Sequence, residues 1–279
     1  MNNQYSEEKT MKIQSGNNVN KMFGLMLACM AMAACGNREA PVPAPDQGAA
    51  QPAATAAQAP DATPANVILW SPPGKTAPAD FAQRLRALQD DGAASEVRVV
   101  KEYEHEVKEG YGPGFDELAI VQFPSELAYE QWKASPASDF GADVITSRVD
   151  VTTERRSRKN DPNRSIYVVS QYETFVSPEA YRIYSEDYIN PNMDNQYHSG
   201  IMTRYTMYLE REATGGLEHP RAFLVTEYAS QSEFDRKASV KDPYKALLLS
   251  GTHPEWARLN VEKKKMRRDF TESYAKPVL

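Results

Sequence analysis

From Asn66 onward, short apolar runs alternate with amphipathic stretches, and punctuating residues fall between them. Val67 to Ser71 predicts a strand, Pro72-Pro73-Gly74 a turn, and the stretch from about Pro78 a helix with Phe81, Leu85 and Leu88 on one face. Glu96 to Val107 is rich in valine and alternating charge, the pattern of a long strand. Glu109 to Phe115 carries Gly110, Gly112, Pro113 and Gly114 and reads as a turn. Leu118 to Phe123 then predicts a strand, Ser125 to about Ala134 a helix, and Val144 to Thr153 a closing strand. The predicted order is β-α-β-β-α-β.

The order returns after Arg164. Ile166 to Ser170 aligns with Val67 to Ser71 at an offset of 99, and Ser177 to Tyr181 aligns with Ala77 to Phe81 at 100. Tyr208 falls on Tyr103, and Tyr228 on Phe123, at 105; Val261, Arg267 and Arg268 fall on Val149, Arg155 and Arg156 at 112. A steady drift with matched element types predicts a duplication. Each half resembles a ferredoxin-like βαββαβ unit, and the two-copy order is similar to the dimeric α+β barrel superfamily in its fused form. The resemblance implies an α+β fold of two tandem ferredoxin-like βαββαβ repeats, residues 66–160 and 161–279, packed sheet against sheet as an intrachain dimeric α+β barrel. It implies little about chemistry.

Ahead of this body lie two segments of different character. Met22 to Ala34 is an uncharged run of 13 residues after Lys21, shorter than the roughly 20 apolar residues that span a bilayer and laid out like a secretory signal. Its ending, Met32-Ala33-Ala34-Cys35-Gly36, resembles the lipobox of bacterial lipoproteins. The resemblance implies removal of residues 1–34, lipidation of Cys35 and a membrane anchor there. Gly36 in place of Asp, by its similarity to the sorting pattern of enteric lipoproteins, implies the periplasmic face of the outer membrane. Residues 35–65 follow as anchor and linker. Of residues 40–65, 17 are Ala or Pro and none is aromatic, so little apolar area is available to offset ordering entropy and a tether is expected.

Composition narrows the chemistry. With 32 basic and 38 acidic residues the net charge is -6, which argues against nucleic acid as a partner. The two cysteines are Cys29, inside the leader, and Cys35; thiolate metal sites, disulfides and a cysteine nucleophile are thereby excluded from the body. No G-x-S-x-G or H-E-x-x-H occurs; some relatives of the fold the chain resembles hold haem on a histidine, but the G-x-x-D-G of the dye-decolourising peroxidase branch is absent. No cofactor or metal is expected. Asn190, Asn192 and Asp194 have the alternate spacing of a calcium loop, but Asn195 stands where glycine is needed and Ile201 where glutamate is.

Candidate ligand-binding residues come from strand periodicity. On Glu96 to Val107, a period of two places Val97, Val99, Lys101, Tyr103, His105 and Val107 on one face and Glu102, Glu104 and Glu106 on the other. Tyr103 and His105, with Tyr208 from the second half, are expected to line a pocket for a small apolar or aromatic ligand; a strand end with a solvated histidine is the competing account. Tyr181, Tyr184 and Tyr188 fall at i, i+3 and i+7 and read first as core. The basic runs Arg155 to Lys159 and Lys263 to Arg268 read as solvated ends or as a face for an anionic surface or ligand. Two functions follow: an envelope-anchored lipoprotein that binds a small molecule or a partner protein, or an enzyme resembling the cofactor-independent monooxygenases of the superfamily, acting on an aromatic or quinone-like substrate. The sequence sets no oligomeric state.

Overall fold

Eight strands close into an antiparallel barrel in the order β1-β3-β2-β8-β5-β7-β6-β4, with β4 bonded back to β1. The structure is a computed structural model that describes residues 63–107, 114–157 and 161–278. The leader, Cys35 and the linker as far as residue 62 lie outside the described residues, as do Arg158, Lys159 and much of the glycine-rich turn. The strands are β1 (Ala65–Trp70), β2 (Glu96–Val107), β3 (Glu117–Phe123), β4 (Ile145–Arg156), β5 (Ile166–Thr174), β6 (Met202–Glu210), β7 (Arg221–Tyr228) and β8 (Arg267–Pro277). The first four are ordered β4-β1-β3-β2 and the last four β8-β5-β7-β6. They meet edge to edge through β2–β8 and β4–β6, so no strand edge stays open.

Helices cover the outside. In the first half these are α1 (Phe81–Asp90) and α2 (Glu126–Lys133). Ser125 starts α2 by accepting the Ala128 N–H on its hydroxyl, and Glu126 and Lys133 match the two ends of the helix dipole. Phe81, Leu85, Tyr129 and Trp132 then pack on Val67, Leu69, Val121 and Phe123. The second half carries α3 (Pro178–Tyr184), α4 (Asn190–His198), α5 (Gln231–Asp235), α6 (Lys237–Leu247) and α7 (Pro254–Met266). A wide π-helical turn, Ser185–Ile189, joins α3 to α4, and a kink within Leu248–Thr252, where Gly251 has φ 92°, separates α6 from α7.

Alternation along each strand supplies the barrel interior. Ile68, Val100, Leu118, Ile120, Val149, Tyr167, Val169, Tyr208, Phe223 and Val225 form one buried cluster, as an eight-stranded barrel is just wide enough for its own side chains to fill. The observed first-half elements agree with those expected to within a few residues. One correspondence does not hold. Val261 lies in α7, 80% exposed, and Arg267 and Arg268 open a strand, whereas Arg155 and Arg156 end one. The helical layer between β7 and β8 is longer than its counterpart between β3 and β4, which carries the last strand on to Pro277.

Candidate functional site

The second half keeps a cavity of about 190 Å3 between its helices and the outer face of its sheet. Its floor is set by strand alternation: Val168, Ser170 and Tyr172 from β5, Leu224 and Thr226 from β7, and Arg267, Asp269 and Glu272 from β8. Tyr188 and Ile189 of the wide turn, with Asn192, Met193 and Gln196 of α4, form one wall. Such turns swing a side chain out of the regular helical face, and they recur at functional sites. Lys237, Lys241 and Lys245, four residues apart along α6, form another wall, and Trp256 and Lys263 of α7 complete it.

Charge distinguishes this cavity. Five cationic side chains, Lys237, Lys241, Lys245, Lys263 and Arg267, face two acids, Asp269 and Glu272, in a chain whose net charge is -6. Lys237 Nζ donates to Glu272 Oε1 at 2.6 Å, and the Arg267 Nε–H donates to Asp269 Oδ1 at 3.0 Å. Arg267 is 8% exposed, lies with its guanidinium carbon 3.6 Å from the Tyr172 ring centroid, and has no hydrogen-bond partner at Nη1. The Asn192 Oδ1 and Gln171 Nε2 atoms of the lining are also buried and unbonded. Burial, followed by the nearby Lys237, holds the Lys241 ammonium below its usual range, while Glu272 works the other way. Burial first, and then the Glu272 charge, raises the Tyr228 phenol, whose hydroxyl donates to Gln196 Oε1 at 2.9 Å.

Aromatic rings give the cavity a rigid side. Tyr184 stacks on Tyr188 with centroids 5.1 Å apart, and Tyr188 on Trp256 at 5.0 Å. Trp256 Nε1 donates to the Tyr188 carbonyl, and Tyr188 Oη donates to Asn260 Oδ1, both at 2.9 Å. Tyr181, Tyr184 and Tyr188 therefore belong to the core, as their spacing implies. The arrangement suits an anion with a flat apolar part: donors and cations converge on one side, rings on the other.

A larger space of about 800 Å3 opens at the barrel end where β2 and β6 begin, lined by Glu96, Arg98, Arg156 and Arg204 among others. Its charges are already paired. Glu96 lies 2.5 Å from Arg204, 3.2 Å from Arg156 and 3.4 Å from Arg98, and Arg204 also reaches Glu154 at 2.5 Å. This network ties β2 to β4 and β6, and it reads as an interstrand clamp.

Tyr103, His105 and Tyr208 are not brought together, and none of them lines the cationic cavity. A bulge between Glu102 and Glu104 breaks the period of two. Glu102 pairs with Ala275 and His105 with Ser273, so His105 returns to the side of Glu102, whose Oε1 lies 2.6 Å from His105 Nδ1. Tyr103 sits at the bulge, 46% exposed, with the Lys276 ammonium 5.1 Å from its ring. Val99 packs under the first-half helices, with Val97 against the same cluster, and Val100 faces the barrel interior; Val107, past the bulge and 47% exposed, does not continue the face of Val97 and Val99, so the residues expected on one face are divided. Tyr208 is buried inside the barrel, where its hydroxyl accepts from Arg98 Nη2 at 2.7 Å. Asn190 and Asp194 hold the Tyr205 hydroxyl, at 3.5 and 2.5 Å. Sequence reasoning singled out the run containing Lys263 and Arg267 but passed over Lys237, Lys241 and Lys245, whose spacing of four residues was the available signal.

No protein-family model matches the chain, and no curated protein matches it. Among solved structures, the chain is similar to an anthrone oxidase-like protein, with 12% identity, a TM-score of 0.47, and 77% of this chain and 91% of that one covered. It is also similar to a protein from Fusobacterium nucleatum provisionally described as a monooxygenase, with 12% identity, a TM-score of 0.46, and 78% and 94% covered. A heme-degrading enzyme from Listeria monocytogenes matches at 9% identity and a TM-score of 0.33, covering 75% and 98%. The fold assignment accordingly stands on strand order and register.

Proposed function

We propose that this chain is an envelope-anchored binding protein for a small anionic molecule with an aromatic or apolar part, held in the second-half cavity. The carrying observation is the excess of five cations over two acids around a partly enclosed space, with Arg267 Nη1 buried and unbonded at its floor. Buried donors without partners cost free energy that a ligand oxygen offsets. The two halves, residues 66–160 and 161–279, are in this reading fused ferredoxin-like repeats, supported by the identical strand order of each half. Cys35 is the lipid anchor and the outer membrane the location, on the strength of the lipobox-like sequence; Cys35→Ser should move the protein to the soluble fraction, and persistent membrane association would refute the anchor.

The binding test uses the chain from Gly36. Phenyl phosphate, inorganic phosphate and benzylamine are compared by thermal shift. A ligand at about 100 times its Kd stabilises by about 2.7 kcal/mol, or roughly 5–10 °C for a domain of this size. Phenyl phosphate should shift wild type and leave Lys241→Met and Arg267→Met unmoved, with benzylamine silent throughout. Equal shifts in wild type and both variants would remove the cavity from consideration.

A second reading, a cofactor-independent oxygenase acting on a phenolic or quinone-like substrate, draws on the stacked Tyr184, Tyr188 and Trp256. Oxygen uptake with a panel of quinols decides between the two: uptake that is lost in Trp256→Leu supports the enzyme, and none supports binding.

A further inference from the structure

The barrel end where β1 and β6 finish holds a second cavity, of about 240 Å3, on the other side of the sheet. Trp70, Pro72, Ile145, Leu217 and Phe270 make it largely apolar, and Arg221 enters it from the start of β7. Arg221 is 5% exposed. Its guanidinium carbon lies 4.4 Å from the Trp70 ring centroid, 5.8 Å from Phe223 and 5.9 Å from Phe270, so rings hold it in place.

The acids near Arg221 are engaged elsewhere. Glu210 Oε2 accepts the Arg221 backbone N–H at 2.8 Å, and its Oε1 accepts from Ser147 and Thr214, each at 2.6 Å. Glu173 is bonded by Arg268. Arg221 Nε and Nη1 are left buried without partners, as are Trp70 Nε1 and Gln171 Nε2 in the same lining. Four unbonded groups, all donors, therefore border one apolar space, and what they lack is an acceptor. Gly215, at φ 62°, closes over them: a Cβ there would stand 3.2 Å from Ile145 Cδ1 and 3.6 Å from Arg221 Nη2. The loop can approach this closely because it has no side chain at that point.

We propose that this barrel-mouth cavity is a separate ligand site for a small aromatic monocarboxylate, its carboxylate on Arg221 and its ring among Trp70, Ile145 and Phe270. One carboxylate matches one guanidinium fork, and the apolar lining takes the ring. The cationic cavity lies on the opposite face of the sheet, with Gln171 and Thr271 bordering both, so an anion probe must be assigned to one or the other by mutation.

The test is calorimetric titration of the chain from Gly36 with benzoate and, as a neutral analogue, benzyl alcohol. Hydrogen bonds to a charged group contribute about 1.5–3 kcal/mol, so Arg221→Met should weaken benzoate by roughly tenfold or more and change benzyl alcohol little. The comparison is made in a Lys241→Met background, where the cationic cavity no longer takes an anion and benzoate should still bind through Arg221. No benzoate binding in that background, or equal binding there with and without Arg221→Met, would each overturn the proposal. Should Arg221→Met fail to give a folded far-UV spectrum, Ile145→Trp, which fills the space without touching a charge, must abolish both ligands; retained binding there would overturn it as well.

Discussion

Replacing Glu96 with alanine should destabilise the barrel by about 3 kcal/mol, a figure that follows from which of its partners are dry. Glu96 is the acid shared by Arg98, Arg156 and Arg204. Arg156 is 59% exposed and contributes little, as exposed pairs contribute at most about 1 kcal/mol. Arg98 and Arg204 are 10% and 7% exposed; without Glu96, Arg98 would lose its paired acid and Arg204 one of its two. Removing one partner from a buried pair costs about 3–5 kcal/mol; Arg204 keeps Glu154, which lowers the expected value toward 3. Urea unfolding at pH 7 should show a lower midpoint with an unchanged slope. Adding Arg204→Met should recover more than about 1 kcal/mol, because the stranded cation is then absent. A loss under about 0.5 kcal/mol in Glu96→Ala, or strict additivity in the double variant, would refute the view that this cluster clamps β2 to β6.

Four further outcomes follow. Burial pushes the Glu96 carboxyl up, but Arg98, Arg204 and Arg156 outweigh it and hold the group below its ordinary 4.5; its contribution is thus complete above about pH 4.5 and is lost as pH falls through the lower folded value, so Glu96→Gln should flatten stability against pH in that acid range. Lys241 is held below its usual range, chiefly by burial, so the charged form opposes folding at pH 7 and Lys241→Met should raise Tm even as it abolishes binding of phenyl phosphate in the cationic cavity. Tyr184 is 2% exposed with an unbonded hydroxyl; Tyr184→Phe should be neutral or stabilising by up to about 1 kcal/mol in urea. Residues 66–160 alone would expose Ile68, Trp70, Val100 and Ile120, each worth about 1.5–3 kcal/mol when buried, a sum that rivals a domain's entire stability; a cooperative melt of that fragment as a monomer would contradict the closed barrel.

How far the molecule was legible depends on the range over which each signal acts. β1, β3 and both first-half helices are readable because their patterns are local: alternating Val67 and Leu69, the Ser125 cap, Phe81 and Leu85 one turn apart. The closure through β2–β8 and β4–β6 is legible as element order and not as residues, since edge pairing leaves no local mark. Tyr103 and His105 misled because a bulge is a one-residue insertion whose only sign is the partner strand, and past it every side chain changes face. Tyr208, expected beside Tyr103 and His105 at a pocket, lies in the barrel interior on Arg98, a partner 110 residues away that leaves no local mark. Arg221 gave no signal at all: its setting is built by Trp70, Phe270 and Gly215, far apart in sequence.

The two halves share a strand order but not a helical layer, and the difference locates the ligand chemistry. In the first half, one helix follows each of β1 and β3, and Phe81, Phe123, Tyr129, Trp132 and Phe140 fill the space beneath in direct ring contacts of 5.1 to 6.1 Å. In the second, the wide turn at Ser185–Ile189 continues α3 into α4, α6 and α7 follow one another across a kink at Gly251, and Pro243 inside α6 removes a backbone donor from it. A longer layer cannot seat every side chain on the same sheet area, so the excess is accommodated as space, and α6 borders that space with lysines where α1 and α2 present apolar groups. Duplication with one filled copy and one open copy separates two demands on a single fold: the first half supplies packing, and the second tolerates unpaired cations because the barrel it shares is held by the other.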